Sequence, residues 1–261
     1  MLAYFYIVTK VMKISSTMKK LIIIIGLLVS ITAAHVVLAQ TSKSGVIVYE
    51  VKVNVHRRLP PDAEAMKARI PEYNIHQDQV AFNDQESFYC TMPDEEEEEF
   101  NDEGNGMRLR IMRPQVEYYF NQSQSKRVVL QDFMGKKILI EDSVKIIPWK
   151  LSNDTKVVLG YTCNKATYFN EETKQNVVAW YTDKIHLFVG PEGYNSLPGT
   201  VLQLDVNDGE RIVTAKKIDL RALKKGEMKI PSGGQRMTEK EFRALAEEQM
   251  RRNGGRMIIR N

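Results

Sequence analysis

Cysteine is scarce in this chain: Cys90 and Cys163 are the only two in 261 residues. Two thiols cannot make a four-ligand structural zinc site. Both would meet an oxidising compartment after export, so a Cys90–Cys163 disulfide and a pair of buried thiols stay open alternatives. Catalytic spacings are lacking too. The sequence has no Gly-x-Ser-x-Gly elbow, no His-Glu-x-x-His and no Gly-rich phosphate loop. Its histidines are His35, His56, His76 and His186, none in a recognisable ligand spacing. Met228, Met237, Met250 and Met257 enrich the C-terminal part without a Met-x-x-Met cluster, which reads as core filling. No catalytic residue, metal ligand or cofactor is therefore assigned.

Long apolar runs are confined to the beginning. Met18-Lys19-Lys20 precedes an apolar stretch from Leu21, which ends in Val37-Leu38-Ala39. A short positive end, an apolar middle and small residues at the exit describe a secretory signal peptide over 1–39, cut before Gln40. Residues 1–17 carry their own apolar run, so Met18 is an alternative start. Ser30, Thr32 and His35 interrupt the stretch; a membrane span wants roughly 20 predominantly apolar residues, so no span is expected after cleavage. The expected location is the periplasm, outer membrane or exterior of a Gram-negative cell. The missing Cys after Ala39 argues against a lipid anchor.

The leader also explains the basic balance. It holds Lys10, Lys13, Lys19 and Lys20 and no acid, so the rest of the chain is neutral and no nucleic acid is expected as partner. The neutrality is uneven. Residues 84–103 hold ten acids and no base, whereas 211–261 hold fourteen bases against six acids. The run Pro93 to Gly106 cannot bury a core and reads as a solvated acidic loop. Its adjacent Glu residues lack the alternating spacing of a calcium loop.

The remaining sequence alternates. Tyr49, Val51, Val53 and Val55 share one face of a strand over Gly45 to His56. Pro60, Pro61 and Pro71 interrupt, with a short helix read over 63–69. Strand patterns then follow over 79–82, 86–90, 116–121, 126–132, 136–141, 156–170, 175–181, 200–206 and 211–219. Turns are expected at Asn153-Asp154, Asn170-Glu171-Glu172 and Asn207-Asp208-Gly209. Thr238 and Glu241 form a capping box before the stripe Phe242, Leu245, Ala246 and Met250, which predicts an amphipathic helix over 238–252 in a basic tail, 221–261. The fold expected for 40–220 is mainly β: a single antiparallel, strongly curved sheet or half-open barrel, with the C-terminal helix packed on it.

Several segments together resemble a known family. They are Trp149-Lys150-Leu151, Lys156 to Ala166, Ala179-Trp180-Tyr181-Thr182, and Gly190-Pro191-Glu192-Gly193-Tyr194-Asn195-Ser196-Leu197-Pro198-Gly199. Val80-Ala81-Phe82-Asn83 and Glu86-Ser87-Phe88 add to them. The chain resembles the GLPGLI family of secreted Gram-negative proteins over roughly 45–220. Ser196 and Thr200-Val201 depart from the naming motif. The resemblance implies secretion and a β-rich fold, with no established enzymatic activity.

Trp149, Tyr161, Trp180, Tyr181 and Tyr194, with Leu197, Pro198 and Gly199, are the candidate binding residues, set against core packing as the plainer reading. Pro198-Gly199 suits the centre of a type II turn. The function expected is a non-catalytic binding or chaperone-like module for an apolar ligand or a peptide of an envelope protein. A thiol or hydrolytic enzyme centred on Cys163 and a purely structural interaction protein are the alternatives.

Overall fold

In the computed structural model, residues 44–59, 67–93, 100–101, 108–109, 115–185 and 188–252 are described. The signal segment, residues 63–66 of the helix read over 63–69 and most of the acidic loop lie outside them; of that helix's described residues Lys67 is helical and Ala68-Arg69 form a turn. Residues 43–261 form one compact unit.

Its strands are β1 (Gly45–Asn54), β2 (Tyr73–Phe82), β3 (Glu86–Thr91), β4 (Phe100–Asn101), β5 (Arg108–Leu109), β6 (Val116–Asn121), β7 (Lys126–Phe133), β8 (Lys136–Ser143), β9 (Lys150–Val158), β10 (Tyr161–Asn170), β11 (Gln175–Thr182), β12 (Thr200–Val206), β13 (Arg211–Leu220) and β14 (Gln235–Met237). Helix α1 (Glu239–Arg252) follows. Among the described residues, twelve strands share one sheet in the order β14-β8-β7-β6-β3-β2-β1-β13-β12-β11-β10-β9, while β4 and β5 pair with each other.

The expectation of a purely antiparallel sheet or half-open barrel is corrected on two points. The sheet is mixed, because β14 runs parallel to β8. It also ends in two edges, β9 and β14, and does not close. The reason is the connection. After β13 the chain passes β1, β2, β3, β6 and β7 before it pairs with β8. Met228 packs on Phe88, Tyr119, Val128 and Leu139 along the way. A long crossover of this kind delivers a parallel strand, which a hairpin cannot.

The alternation read in β1 is real: Ile47, Tyr49 and Val51 are buried in the main core. There they join Val80 and Phe82 of β2, Val177 and Ala179 of β11, Leu204 of β12 and Val213 of β13. Asn207 and Asp208 adopt positive φ in the β12–β13 turn, as does Gly209. The run 156–170 is two strands, because Leu159-Gly160, both at positive φ, makes a tight turn inside it. Asn153-Asp154 is no turn but lies within β9.

The capping box forms. Thr238 N donates to Glu241 Oε2 at 2.7 Å, and Glu241 N donates to Thr238 Oγ1 at 3.2 Å. Phe242 then meets Phe133 edge-on at 5.2 Å, seating α1 beside Val129, Ile138 and Ile140. No helix among the described residues is long and apolar enough to cross a membrane.

Candidate functional site

Between β11 and β12 the chain leaves the sheet and returns as a strap, Val189 to Gly199. Its path is fixed by close backbone approaches. A Cβ on Gly190 would stand 1.8 Å from the Tyr194 carbonyl oxygen, and one on Gly199 would stand 2.1 Å from that of Thr182. Gly199 N donates to Leu197 O at 2.7 Å. This is a tighter three-residue turn around Pro198 than the type II turn read from Pro198-Gly199. Val201 N donates to Val189 O, and the Tyr49 hydroxyl donates to Val201 O at 2.7 Å. Leu197 and Val189 are buried, worth about 1.5–3 kcal/mol each.

The strap orders an aromatic group. Trp149 Nε1 donates to Asn195 O at 2.9 Å. The Trp149 ring meets Tyr168 of β10 edge-on at 5.8 Å and lies 6.3 Å from Tyr194. Burial pushes the Tyr194 hydroxyl up to about 12, so it stays protonated at neutral pH. Beside Tyr168 opens a groove of about 560 Å³, whose lining includes Pro148, Lys150, Phe169, Asn176 and Asp208. Phe169 is 43% exposed there.

Beneath the strap lies a polar cluster drawn from five parts of the chain. Glu192 pairs with Arg211 at the start of β13, the two side chains being 11% and 16% exposed. The Tyr89 hydroxyl of β3 donates to Asp78 of β2 and lies 3.3 Å from Glu192 Oε1. His76 Nε2 stands 3.7 Å from Asp78 Oδ1. Tyr118 of β6 meets the Tyr89 ring edge-on at 5.8 Å. Burial, helped by Asp78 and partly offset by Arg211, holds the Tyr89 hydroxyl well above the usual phenol range. Protonated, it donates its one hydrogen to the Asp78 carboxylate, a group that would otherwise be costly to bury.

The sequence-selected residues thus divide. Trp149, Tyr194 and Leu197 come together under or within the strap, with Gly199 at its end. Pro198 is exposed. Tyr181 is buried, and its hydroxyl is pushed up by burial first and by Asp183 second. Tyr161 packs against the main core. Trp180 also packs against the main core, with Lys156 Nζ 4.3 Å from its ring centre and Lys165 Nζ at 5.9 Å.

Both cysteines are free thiols. Cys163 lies in the main core, whereas Cys90 packs with the Phe88 and Tyr119 group. Burial pushes both thiols up, which leaves little thiolate for nucleophilic work at neutral pH. His56 Nε2 is 2.9 Å from Ile70 O; His186 lies outside the described residues. No metal-holding group of His, Cys, Asp and Glu occurs among the described residues.

Sequence reading missed Asp78, Tyr89, Glu192 and Arg211 as a unit, and Tyr168 and Phe169 as groove residues. One signal was present: Asp78 falls in register with Val80 and Phe82, a charge on the apolar face of its strand.

Comparison with known proteins bears on the fold and the family. The profile described as N-glycanase peptide, N-terminal domain, matches residues 101–239, more than half of the chain. No curated protein matches. Two crystal structures of PNGF-II, in space groups P21 and C2, align at TM-scores of 0.51 and 0.50, each at 13% identity. Each alignment covers 78% of this chain but only 33% of the solved one, so this chain spans about a third of the length of the proteins it matches. At that identity the likeness is one of fold.

Proposed function

This chain belongs to the family described as N-glycanase peptide, N-terminal domain, and we propose that it is a non-catalytic recognition module that holds an extended, glycan-bearing peptide at the bacterial envelope. The observation that carries the proposal is the groove beside Tyr168. Its lining includes the aromatic residues Tyr168 and Phe169 and the polar residues Lys150, Asn176 and Asp208. Apolar walls with a few placed polar groups suit a ligand that has both characters. Its wall is ordered in advance, since Tyr168 rests on Trp149 and Trp149 is tied to the strap. A preformed wall lowers the ordering cost of binding.

The proposal keeps the export signal and the GLPGLI resemblance read from the sequence. Protein isolated from the native envelope is then expected to begin at Gln40, which N-terminal mass spectrometry checks.

Calorimetric titration of the mature protein with a glycosylated peptide and its deglycosylated form tests the binding. Saturable binding is expected, weakened about tenfold by Phe169→Ala, the loss of one aromatic contact. Equal, non-saturating heats for wild type and variant would remove the reading.

A further inference from the structure

We propose that the tip of the β9–β10 hairpin is a peripheral contact site for an anionic phospholipid surface. Val157 and Leu159 enter the headgroup region, and Lys156 beside them meets lipid phosphate. The contact does not depend on the groove, so either reading can fail without the other.

The turn holds an unexpected residue for its shape. Leu159 and Gly160 take φ 50° and 80°, and Val158 pairs with Tyr161 across them. A two-residue hairpin loop with both residues at positive φ is the usual place of Asn-Gly or Asp-Gly. In the β12–β13 turn of this chain the positive-φ places do fall to Asn207, Asp208 and Gly209. A bulky apolar side chain in this conformation is uncommon and strained. Leu159 is also 46% exposed. The main core takes Val158 and Cys163, on either side of the turn, and does not include Leu159. Neither the backbone nor the core gains from leucine here.

The tip is held firmly and projects. β9 is the edge of the sheet, and β10 gains its second neighbour, β11, only from Asn164 onward. Lys156 to Cys163 therefore form a two-stranded corner beyond that neighbour. Val158 and Cys163 anchor the corner in the main core. Alternation then turns Val157 outward, where it is exposed next to the turn. A Cβ on Gly160 would meet nothing within 4 Å, so the turn stands clear of the rest of the described chain.

Size and charge favour a lipid surface as the occupant. A stable protein interface takes roughly 800 Å² from each partner, far more than a two-residue tip offers. A bilayer accepts a small convex tip, because binding there grows with the apolar area entered and with attraction to anionic headgroups. Lys156 supplies that attraction. Its Nζ stands 4.3 Å from the Trp180 ring centre, which keeps the ammonium beside the tip. Burial pushes this ammonium below the ordinary lysine range, a state that a neighbouring anion relieves. No ion pair among the described residues holds it. Lys165, near the same ring, is already offset by Asp154.

The β7–β8 turn provides an internal comparison. Met134 and Gly135 share the positive φ, and Met134 is exposed. Its apolar neighbour Phe133 is taken up by Phe242 of α1, so that tip presents one apolar side chain rather than two.

Cosedimentation of the mature protein with vesicles tests the contact. One set mixes phosphatidylglycerol with phosphatidylcholine, and the other is phosphatidylcholine alone. Wild type should sediment with the anionic vesicles, release as salt is raised, and stay in solution with the neutral ones. Leu159→Asn combined with Val157→Thr should weaken binding about tenfold, and Lys156→Gln about fivefold with a flatter salt response. Met134→Asn should bind like wild type. Asparagine suits the turn better than leucine, so Leu159→Asn should unfold at no lower a temperature than wild type, and its loss of binding reports the contact rather than the fold. Wild type that ignores anionic vesicles would overturn the proposal, as would a Leu159→Asn/Val157→Thr protein that binds them equally well. Equal loss in Met134→Asn would overturn it too, by showing general apolar adhesion. Self-association that Leu159→Asn abolishes, without vesicle binding, would assign the tip to a second copy of the chain instead.

Discussion

Single glycines, one in the strap and one in the β9–β10 turn, are constrained in two different ways, which substitution separates. Gly190 has an extended backbone, so its need for hydrogen is spatial: the Tyr194 carbonyl occupies the place of a Cβ. Gly160 has φ near +80° and open space around it. Gly160→Ala then meets only the conformational penalty, about 1 kcal/mol. Gly190→Ala must displace backbone in a packed loop and should cost more than roughly 2 kcal/mol. Chemical denaturation of the two variants checks the order, and a Gly190→Ala protein as stable as Gly160→Ala would refute the close approach. The same spatial need explains why the strap carries glycine at both ends, where it passes closest to other backbone.

At the scale of elements, helix α1 is held by Phe242 and by one half-buried ion pair. Glu239 pairs with Arg127 of β7 and with Arg243 one turn on, and Arg243 also reaches Glu172 in the β10–β11 turn. Burial pushes the Glu239 carboxyl up, but Arg127 and Arg243 outweigh it and leave the group below the ordinary Glu range. The charged form is thus favoured in the folded state. Its contribution is fully present above the ordinary Glu range and fades as pH falls through the lowered folded value. Glu239→Gln should therefore loosen α1 at neutral pH by about 1–2 kcal/mol and abolish that part of its acid sensitivity. Thr238→Ala, which removes the cap, should cost about 1 kcal/mol with no such pH dependence. Hydrogen exchange of the α1 amides separates the two.

These elements also mark what was legible in the sequence. The Thr238–Glu241 box and the alternation of β1 are local patterns, so they could be read directly. The Leu159-Gly160 turn was missed because its flanks, Lys156 to Val158 and Tyr161 to Asn170, are both rich in strand formers. β14 was missed because three residues carry no period, and only the crossover past Phe88 and Tyr119 places them. The cluster under the strap was out of reach for a related reason. Asp78, Tyr89, Glu192 and Arg211 are brought together by strand order and the path of the strap, neither of which is written in local spacing.

For the whole molecule, an open twelve-stranded sheet poses the problem of its two edges. At one end the edge is short: β14 has three residues and leads straight into α1, which packs beside β8. The other end is long and exposed. β9 has nine residues, with Leu151 at 61% and Val157 at 69% exposure. Unpaired backbone along such a strand is a template for another chain. Two features of β9 oppose that. The register with β10 breaks between Asn164 and Ala166, where Ser152 to Asp154 of β9 face a single residue, and such a bulge twists an edge away from straight pairing. Lys150 and Lys156 place like charges along the strand, and only Asp154, tied to Lys165 at 3.0 Å, offsets them. Replacing both lysines by valine leaves the bulge but removes the charges, and adds apolar surface to an edge that already exposes Leu151 and Val157. Sedimentation velocity of Lys150→Val/Lys156→Val should show larger species than wild type, growing with concentration, while a further Asn153→Pro substitution in the bulge should reverse the change by blocking strand addition. If the double variant sediments like wild type over the same concentrations, the bulge alone protects this edge and the lysines serve another purpose.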